Sequence, residues 1–214
     1  TRDEQDEFAI TSYRRAQRAQ ADGTFAAEIV PVDVTGRKGT VTRVEVDEGP
    51  SQVDFEKLRT LRPVFEKDGT VTAANASTIN DGAAALVITS EAAAAERGLA
   101  VLATIEGYAA HGEAPEWFTT APIGAMRALL AKTAWDVGDV DLFEVNEAFS
   151  VVPMAAAREL GIDPERMNVN GGAVALGRNL SGRRADDQRS PRARRPRLHP
   201  RTDQRGRDPQ LLGA

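Results

Sequence analysis

Residues 75–89 read Asn-Ala-Ser-Thr-Ile-Asn-Asp-Gly-Ala-Ala-Ala-Leu-Val-Ile-Thr, and this stretch decides which fold class the sequence predicts. Its first eight residues are rich in turn formers and in side chains that hydrogen-bond to the backbone. The run at 83–89 is apolar without interruption, which is typical of a strand covered on both faces. Ser90 is then placed to cap a helix that ends near Arg97, before Gly98. The stretch therefore predicts a loop, a buried strand and a helix in succession.

The alternation of strand and helix continues on both sides of this stretch. Helical periodicity marks further segments, and runs of β-branched or apolar residues mark further strands. Strands that alternate with helices favour parallel sheets in α/β layers, which is the fold class we expect. The predicted helices cover residues 3–21, 54–61, 123–134 and 147–160, and the predicted strands or extended segments cover 28–34, 41–46, 70–76, 101–108 and 141–145.

The composition excludes several classes of protein. Of the 214 residues, 41% are hydrophobic and 28% are charged, as in a globular chain. No apolar run approaches the roughly 18 residues of a transmembrane helix, and the acidic start is unlike a secretory signal. The absence of cysteine removes disulfides, thiolate zinc sites and cysteine nucleophiles from consideration. We therefore expect a cytoplasmic protein without a membrane partner.

The net charge of −5 hides two different regions. Residues 178–214 contain 11 Arg, no Lys and four Asp, whereas residues 1–177 are acidic overall. This abrupt change predicts a boundary near Gly177 and a disordered Arg- and Pro-rich tail. Because guanidinium groups bind phosphates and acidic surfaces, a non-catalytic binding module for nucleic acid or an acidic partner stays open as the alternative function. Nucleic acid is the less favoured partner, since the tail lacks interleaved aromatic residues.

Three polar motifs are candidates for a functional site. Residues 144–149, Glu-Val-Asn-Glu-Ala-Phe, follow a predicted strand, where open α/β sheets place ligand-binding groups. Asn146 and Glu147 could equally be the N-cap and a first-turn acid of a helix. The amides and hydroxyls of 75–82 could line a ligand or bond their own loop. Residues 168–173, Asn-Val-Asn-Gly-Gly-Ala, could offer backbone N–H groups to an oxyanion or form an ordinary glycine turn.

The sequence predicts no metal site. His111 and His199 are the only histidines, and neither has a partner at metal-ligand spacing. His111 lies in a loop rich in Gly, Glu and Pro, where we expect it to be solvated. Gly-x-Gly-x-x-Gly and P-loop motifs are both absent from the sequence.

Further motifs accompany these three in the sequence. They are Thr1-Arg-Asp-Glu-Gln-Asp6, Leu61-Arg-Pro-Val-Phe65, Gly69-Thr-Val-Thr-Ala73, Asn75-Ala-Ser77, Asn80-Asp-Gly-Ala-Ala-Ala85, Asn146-Glu-Ala-Phe149 and Asn168-Val-Asn-Gly-Gly172. In this order, over residues 1–177, they resemble the thiolase family and in particular its acetyl-CoA acetyltransferases. The resemblance implies a partial thiolase fold of α-β-α-β-α layers. It places part of the loop domain that embraces coenzyme A at 1–78, the last part of the N-terminal domain at 79–100 and a truncated C-terminal domain at 101–177.

The resemblance also implies a reaction and a set of site residues. The reaction is the reversible Claisen condensation or thiolysis of acyl-CoA, in which the CoA thioester is the substrate and no cofactor is needed. Asn146 is implied to hold a water in an oxyanion hole, which stabilises enolate charge. Ser77 is implied to bond the pantetheine arm, and Phe118 to lie near the substrate. The family forms homo-oligomeric dimers or tetramers. The other residues implied to line the CoA channel are Leu61, Phe65, Ala73, Ala148 and Phe149.

The sequence departs from the family pattern at the reactive groups. Neither of the family's two reactive cysteines has a counterpart, and Arg178 stands where the Gly-His-Pro motif has its histidine. A guanidinium stays protonated and does not act as a base. We therefore expect this chain to be an inactive thiolase fragment.

Two further expectations concern the C-terminal region. A shifted reading frame from Asn179 onward permits Pro-Ile-Gly-Ala-Ser-Gly, the family's continuation. We therefore expect a frameshift near Arg178, which the DNA sequence across Gly177 would reveal. The truncated domain lacks its later strands, so we also expect open sheet edges and an uncovered apolar face.

Overall fold

The structure is a computed structural model that describes residues 1–179. Nearly all of the predicted disordered tail at 178–214 lies outside the described residues. The α-helices are α1 (Arg2–Ala21), α2 (Gly49–Gln52), α3 (Phe55–Thr60), α4 (Glu91–Glu96), α5 (Ala121–Thr133), α6 (Val151–Leu160) and α7 (Ala173–Leu176). The strands are β1 (Val32–Thr35), β2 (Val41–Val44), β3 (Ile79–Asn80) and β4 (Arg178–Asn179), and short 3₁₀ helices cover Pro115–Trp117, Val137–Asp139 and Pro164–Arg166.

Helix α1 organises the first hydrophobic core. A capping box starts the helix, because the Thr1 hydroxyl accepts from the Glu4 N–H while the Glu4 carboxylate accepts from the Thr1 backbone. Apolar residues spaced three and four apart bury one face of the helix against α3 and α7. The helix ends just before Gly23, which has a φ of 67°, so the predicted helix at 3–21 is confirmed. The core residues are Ala9, Ile10, Tyr13, Ala16, Leu58, Val174, Ala175 and Leu176.

The second hydrophobic core is formed by α5, α6 and the extended chain before α6. Phe143 in the predicted strand at 141–145 is buried and forms a parallel β-bridge with Met167. Helix α6 begins at Val151, four residues after the predicted start, because residues 147–150 are engaged with another loop. The core residues are Ile123, Phe143, Val145, Val152, Ala156, Ile162 and Met167.

The predicted strands at 28–34 and 41–46 form a small exposed hairpin. β1 and β2 run antiparallel, and their register places Val32 opposite Val44. β1 begins directly after Pro31, which has no N–H to donate to a ladder. Both strands are therefore confirmed in position but shorter than predicted.

The predicted strands at 83–89 and 101–108 are wrong as regular strands. Neither run belongs to a strand of the structure, and their large apolar side chains are exposed. A strand buried on both faces needs neighbouring strands and covering layers, which the described residues do not supply. Within residues 1–179, the one parallel pair of strands is β3 beside β4, and Phe143 and Met167 form an isolated parallel bridge. Because no strand lies between Asn80 and Arg178, the expectation of an open sheet edge in the truncated domain is not tested, whereas the apolar side chains of both runs are exposed.

Residues 1–179 contain neither a helix that could cross a membrane nor a cluster of metal ligands. Of the helices between Arg2 and Leu176, none has both the length and the apolar character that a bilayer crossing requires. Nor does any group of three His, Asp or Glu side chains in the described region converge so as to hold a metal ion.

Candidate functional site

The loop that contains Ser77 and the turn that contains Phe149 lie side by side. Phe149 pairs with Ala76 in an antiparallel β-bridge. The Ser77 N–H donates to the Ala148 carbonyl at 3.1 Å, and the Ser150 N–H donates across the same pair of segments at 2.8 Å. Two motifs that are distant in sequence therefore form one continuous piece of surface.

Three phenylalanine rings meet at this junction. The Phe149 ring packs edge to face against Phe65, with centroids 5.8 Å apart, and against Phe118, with centroids 6.4 Å apart. Phe149 is half-buried, whereas Phe65 is 71% and Phe118 is 55% exposed. Clustered exposed aromatic rings are a feature of binding surfaces. We call Phe65, Ser77, Phe118, Ala148 and Phe149 the aromatic surface.

The remaining predicted site residues lie around this surface. Asn146 is exposed and directly follows a buried residue of the second core. Leu61 is half-buried and Ala73 is exposed, and they flank the antiparallel bridge between Pro63 and Thr72. No described contact joins Leu61 or Ala73 to the aromatic surface itself.

Glu147 is a buried anchor, whereas the sequence suggested either a member of the ligand-binding motif at 144–149 or a first-turn acid. Its side chain is completely buried. One carboxylate oxygen accepts from the Ser12 hydroxyl at 2.8 Å and from the Val174 N–H at 3.0 Å, and the other accepts from the Asn168 amide at 2.8 Å. Glu147 therefore ties the turn before α6 to α1, to α7 and to the Asn168 turn.

Burial raises the pKa of the Glu147 carboxyl above its ordinary value, since a buried carboxylate loses its hydration. The hydrogen bonds from Asn168, Val174 and Ser12 oppose this rise in pKa because they stabilise the charged form. Asn146 directly precedes Glu147 in the chain. The backbone position of this predicted catalytic residue is therefore set by a fully hydrogen-bonded, buried neighbour.

Asn168 supports the same turn from the opposite side. Its amide oxygen accepts from the Val145 N–H at 2.8 Å, and its amide nitrogen donates to the Val145 carbonyl at 2.9 Å. The Asn168 side chain thus pairs with the backbone N–H and carbonyl of Val145, as a neighbouring strand would. Asn168 has a φ of 48°, a left-handed conformation that asparagine tolerates better than most residues.

The glycine turn at 171–172 faces the protein interior. The Gly172 N–H donates to the Ser12 hydroxyl at 3.0 Å, and the Val174 N–H is taken by Glu147. The Gly171 and Gly172 N–H groups are therefore bonded within the protein, to the Asn168 carbonyl and the Ser12 hydroxyl, as the interpretation as an ordinary glycine turn predicts. A Cβ atom on Gly172 would lie only 2.3 Å from the Glu147 carboxyl carbon, so the turn requires glycine there.

Asn75 bonds its own loop, as one of the two sequence interpretations predicted. It is completely buried. Its amide oxygen accepts from the Thr72 N–H at 2.8 Å, and its amide nitrogen donates to Asp6 at 2.9 Å. Asn75 therefore holds the loop in place, while Ser77 two residues later is partly exposed.

His111 is partly exposed, as expected for a loop residue. Its imidazole packs against the backbone of Gly124, and its Nε2 lies 3.4 Å from a Glu113 carboxylate oxygen. These contacts hold the 111–113 loop on α5. Among the described residues, no contact joins His111 to the aromatic surface.

Comparison with known proteins gives the same family over nearly all of the described region. The family model for the thiolase N-terminal domain matches residues 1–92, and the model for the thiolase C-terminal domain matches residues 99–186. A probable acetyl-CoA acyltransferase of Staphylococcus aureus is 48% identical over 178 residues, which are 83% of this chain and 45% of that protein.

Solved structures agree with the sequence matches. An acetyl-CoA acetyltransferase of Bacillus anthracis superposes with a TM-score of 0.80 at 44% identity. A thiolase of Ascaris suum, solved in complex with coenzyme A, superposes with a TM-score of 0.77 at 46% identity. Each match covers 83% of this chain and 45% of the other chain. The chain thus spans a little under half the length of these relatives and carries a corresponding part of their fold. Because both domain models, the sequence relatives and the solved structures agree, the chain belongs to the thiolase family.

Proposed function

We propose that this chain forms one wall of the coenzyme A site of an acetyl-CoA acetyltransferase. The proposal rests on a single observation, the junction of the Ser77 loop with the Phe149 turn, where the Ser77 N–H donates to the Ala148 carbonyl. The junction presents a partly exposed hydroxyl beside exposed aromatic rings. Such a surface suits a ligand that has both a polar arm and apolar groups.

The proposed roles follow from chemistry and exposure. The Ser77 hydroxyl has both a donor and acceptors for the amides of the pantetheine arm. The rings of Phe65 and Phe149 would pack against the methyl and methylene groups of CoA, and Phe118 would lie toward the acyl group. The exposed Asn146 amide would hold the water that donates to the thioester oxygen as enolate charge develops.

The proposed reaction is a Claisen condensation of two acyl-CoA molecules and its reverse, thiolysis. In the condensation, the carbon next to one thioester loses a proton and attacks an acyl group held on a cysteine sulfur. The bond to the sulfur breaks as the new carbon–carbon bond forms. This chain supplies neither the thiol nor an imidazole beside it, because it has no cysteine and has Arg178 at the histidine position. Its proposed contribution is to bind and orient CoA.

A binding measurement tests the proposal on the 214-residue chain. We expect saturation-transfer NMR to show contact between the protein and the pantetheine protons of CoA. Phe65→Ala should weaken CoA binding about three- to tenfold, because an aromatic contact is worth about 0.5–1.5 kcal/mol. Phe65 is largely exposed, so this change should leave the fold intact.

Tyr108→Ala is the matched control, since Tyr108 is another largely exposed aromatic residue outside the aromatic surface. It should leave the transfer signal unchanged. Equal loss of signal in both variants, or no transfer to the pantetheine arm in the unmodified chain, would contradict the proposal.

A further inference from the structure

The hairpin of β1 and β2 is an isolated pair of strands on the surface. Both strands are exposed at every position, and among the described residues no third strand joins them. Val32 lies opposite Val44, so their side chains share one face of the hairpin, and Val34 lies on the same face. A two-stranded hairpin is marginally stable by itself, whereas three or more strands with an apolar face are stable. The hairpin would therefore gain stability from a further strand.

The free edge of β2 presents backbone groups at alternate residues. The Gly36 N–H donates to the Thr40 carbonyl at 2.8 Å and closes the hairpin. Because hydrogen-bonded and non-bonded pairs alternate along an antiparallel ladder, Val44 bonds to β1 while the N–H and carbonyl of Arg43 point outward. Glu45 continues this alternation, and its backbone makes no hydrogen bond within residues 1–179. Arg43 and Glu45 can therefore bond to another strand.

The charges on this edge are complementary to those of an identical edge. Arg43 and Glu45 have opposite charges and are separated by Val44 alone. A two-fold axis at Val44 would place Arg43 of each copy opposite Glu45 of the other, as a symmetric interface requires. The same alignment pairs the outward N–H groups with the outward carbonyls. Like charges that meet directly across two strands repel, whereas these charges would attract a second copy.

The existing ion pairs of Arg43 do not prevent this pairing. Its guanidinium lies 3.4 Å from a Glu45 carboxylate oxygen and 4.0 Å from an Asp33 carboxylate oxygen. All three side chains are more than half exposed, so these pairs contribute little to stability. The guanidinium therefore stays accessible from the free edge.

We propose that the free edge of β2 binds β2 of a second copy of this chain, so that two hairpins form one four-stranded antiparallel sheet. The valines at positions 32 and 44 of both copies would then form a continuous apolar stripe across one face of that sheet. Because one pair of strands buries less area than a standard interface, we expect a weak and reversible dimer. This inference depends on the hairpin and not on the proposed CoA site.

Cross-linking tests the inference on the full 214-residue chain, which contains no cysteine. In the proposed dimer the two copies of Val44 form a non-hydrogen-bonded pair with Cα atoms about 4.5 Å apart, a distance that a disulfide spans. Val44→Cys should therefore form a covalent dimer under mild oxidation. Val34→Cys is the matched control, since Val34 is exposed on the same face but lies on β1. The two copies of β1 would be about 14 Å apart, which is beyond the reach of a disulfide.

A charge exchange tests the register. In the Val44→Cys chain, Arg43→Glu should slow cross-linking about tenfold, because two attractive pairs become repulsive. Adding Glu45→Arg should restore the rate, and Lys67→Glu, an equal change of charge at an exposed residue outside the hairpin, should leave it unchanged. Circular dichroism should show that all variants keep the fold. The inference is overturned if Val44→Cys stays monomeric, if Val34→Cys cross-links equally fast, or if the charge exchange does not restore the rate.

Discussion

The purified 214-residue chain is expected to show no thiolysis of acetoacetyl-CoA above a protein-free blank. The family reaction passes through an acyl group on a cysteine sulfur, and this chain contains no cysteine. Arg178, which the resemblance places at the position of the family's histidine, has a guanidinium that stays protonated and does not activate a thiol. Removal of the nucleophile from a serine protease costs on the order of 10⁶-fold in rate, and a loss of that size would place the activity below detection.

The matched control is the Bacillus anthracis acetyl-CoA acetyltransferase, assayed at the same concentration by the loss of the acetoacetyl-CoA absorbance. It should turn over readily under conditions in which the chain is silent. Turnover by the chain that persists through a second purification step, and that scales with its concentration, would show that another group replaces the missing thiol.

Gly172→Ala is expected to destabilise the protein by about 2 kcal/mol or more, as overpacking of a fixed interior does. The added methyl group would lie 2.3 Å from the Glu147 carboxyl carbon and 2.5 Å from one of its oxygens. The carboxylate has no room to move, because it is fully buried and is held by three hydrogen bonds. Urea unfolding, followed by circular dichroism, measures the loss in the free energy of unfolding.

Gly112→Ala is the control for this prediction. A Cβ atom on Gly112 would meet nothing within 4 Å, and Gly112 does not have a positive φ. Its effect on the free energy of unfolding should stay within about 0.5 kcal/mol. Equal urea midpoints for the two variants would mean that the carboxylate of Glu147 does not occupy the position described here.

Local patterns in the sequence were sufficient for the elements that depend on local interactions. Helices α1 and α3 follow from the helical periodicity of 3–21 and 54–61, and the structure adds their caps at Thr1 and Asp54. The hairpin of β1 and β2 likewise follows from two β-branched runs around a glycine turn. In each case the deciding contacts lie within a few residues of one another in the chain.

The runs at 83–89 and 101–108 could not be placed correctly, because a strand is defined by its partners. Their composition is that of buried strands, and the residues that would pair with them are not among those described. The start of α6 was misplaced for a related reason. Glu147 fits the first turn of a helix, but contacts with Ser12 and Asn168 hold it in an irregular turn instead.

The sequence likewise predicted one part of the candidate site and missed another. The motifs that resemble the thiolase family correctly indicated that Ser77 and Phe149 belong to one surface. The buried cluster around Glu147 was missed, because no local pattern links Ser12, Glu147 and Asn168, which lie on separate segments. The one available signal was the choice of asparagine and two glycines at 168–172, residues that tolerate unusual backbone angles and close packing.

The most direct test of the account asks whether the Ser77 loop and the Phe149 turn are neighbours. Ala76 and Phe149 occupy a non-hydrogen-bonded antiparallel pair, in which Cα atoms lie about 4.5 Å apart, a distance that a disulfide spans. Because the chain has no other cysteine, the double variant Ala76→Cys, Phe149→Cys contains one possible internal pair. Under mild oxidation of the folded monomer, we predict complete loss of both free thiols in the double variant, while each single variant keeps its thiol. Two thiols that stay free in the folded double variant, or that react only between molecules, would contradict the claim that these segments form one site.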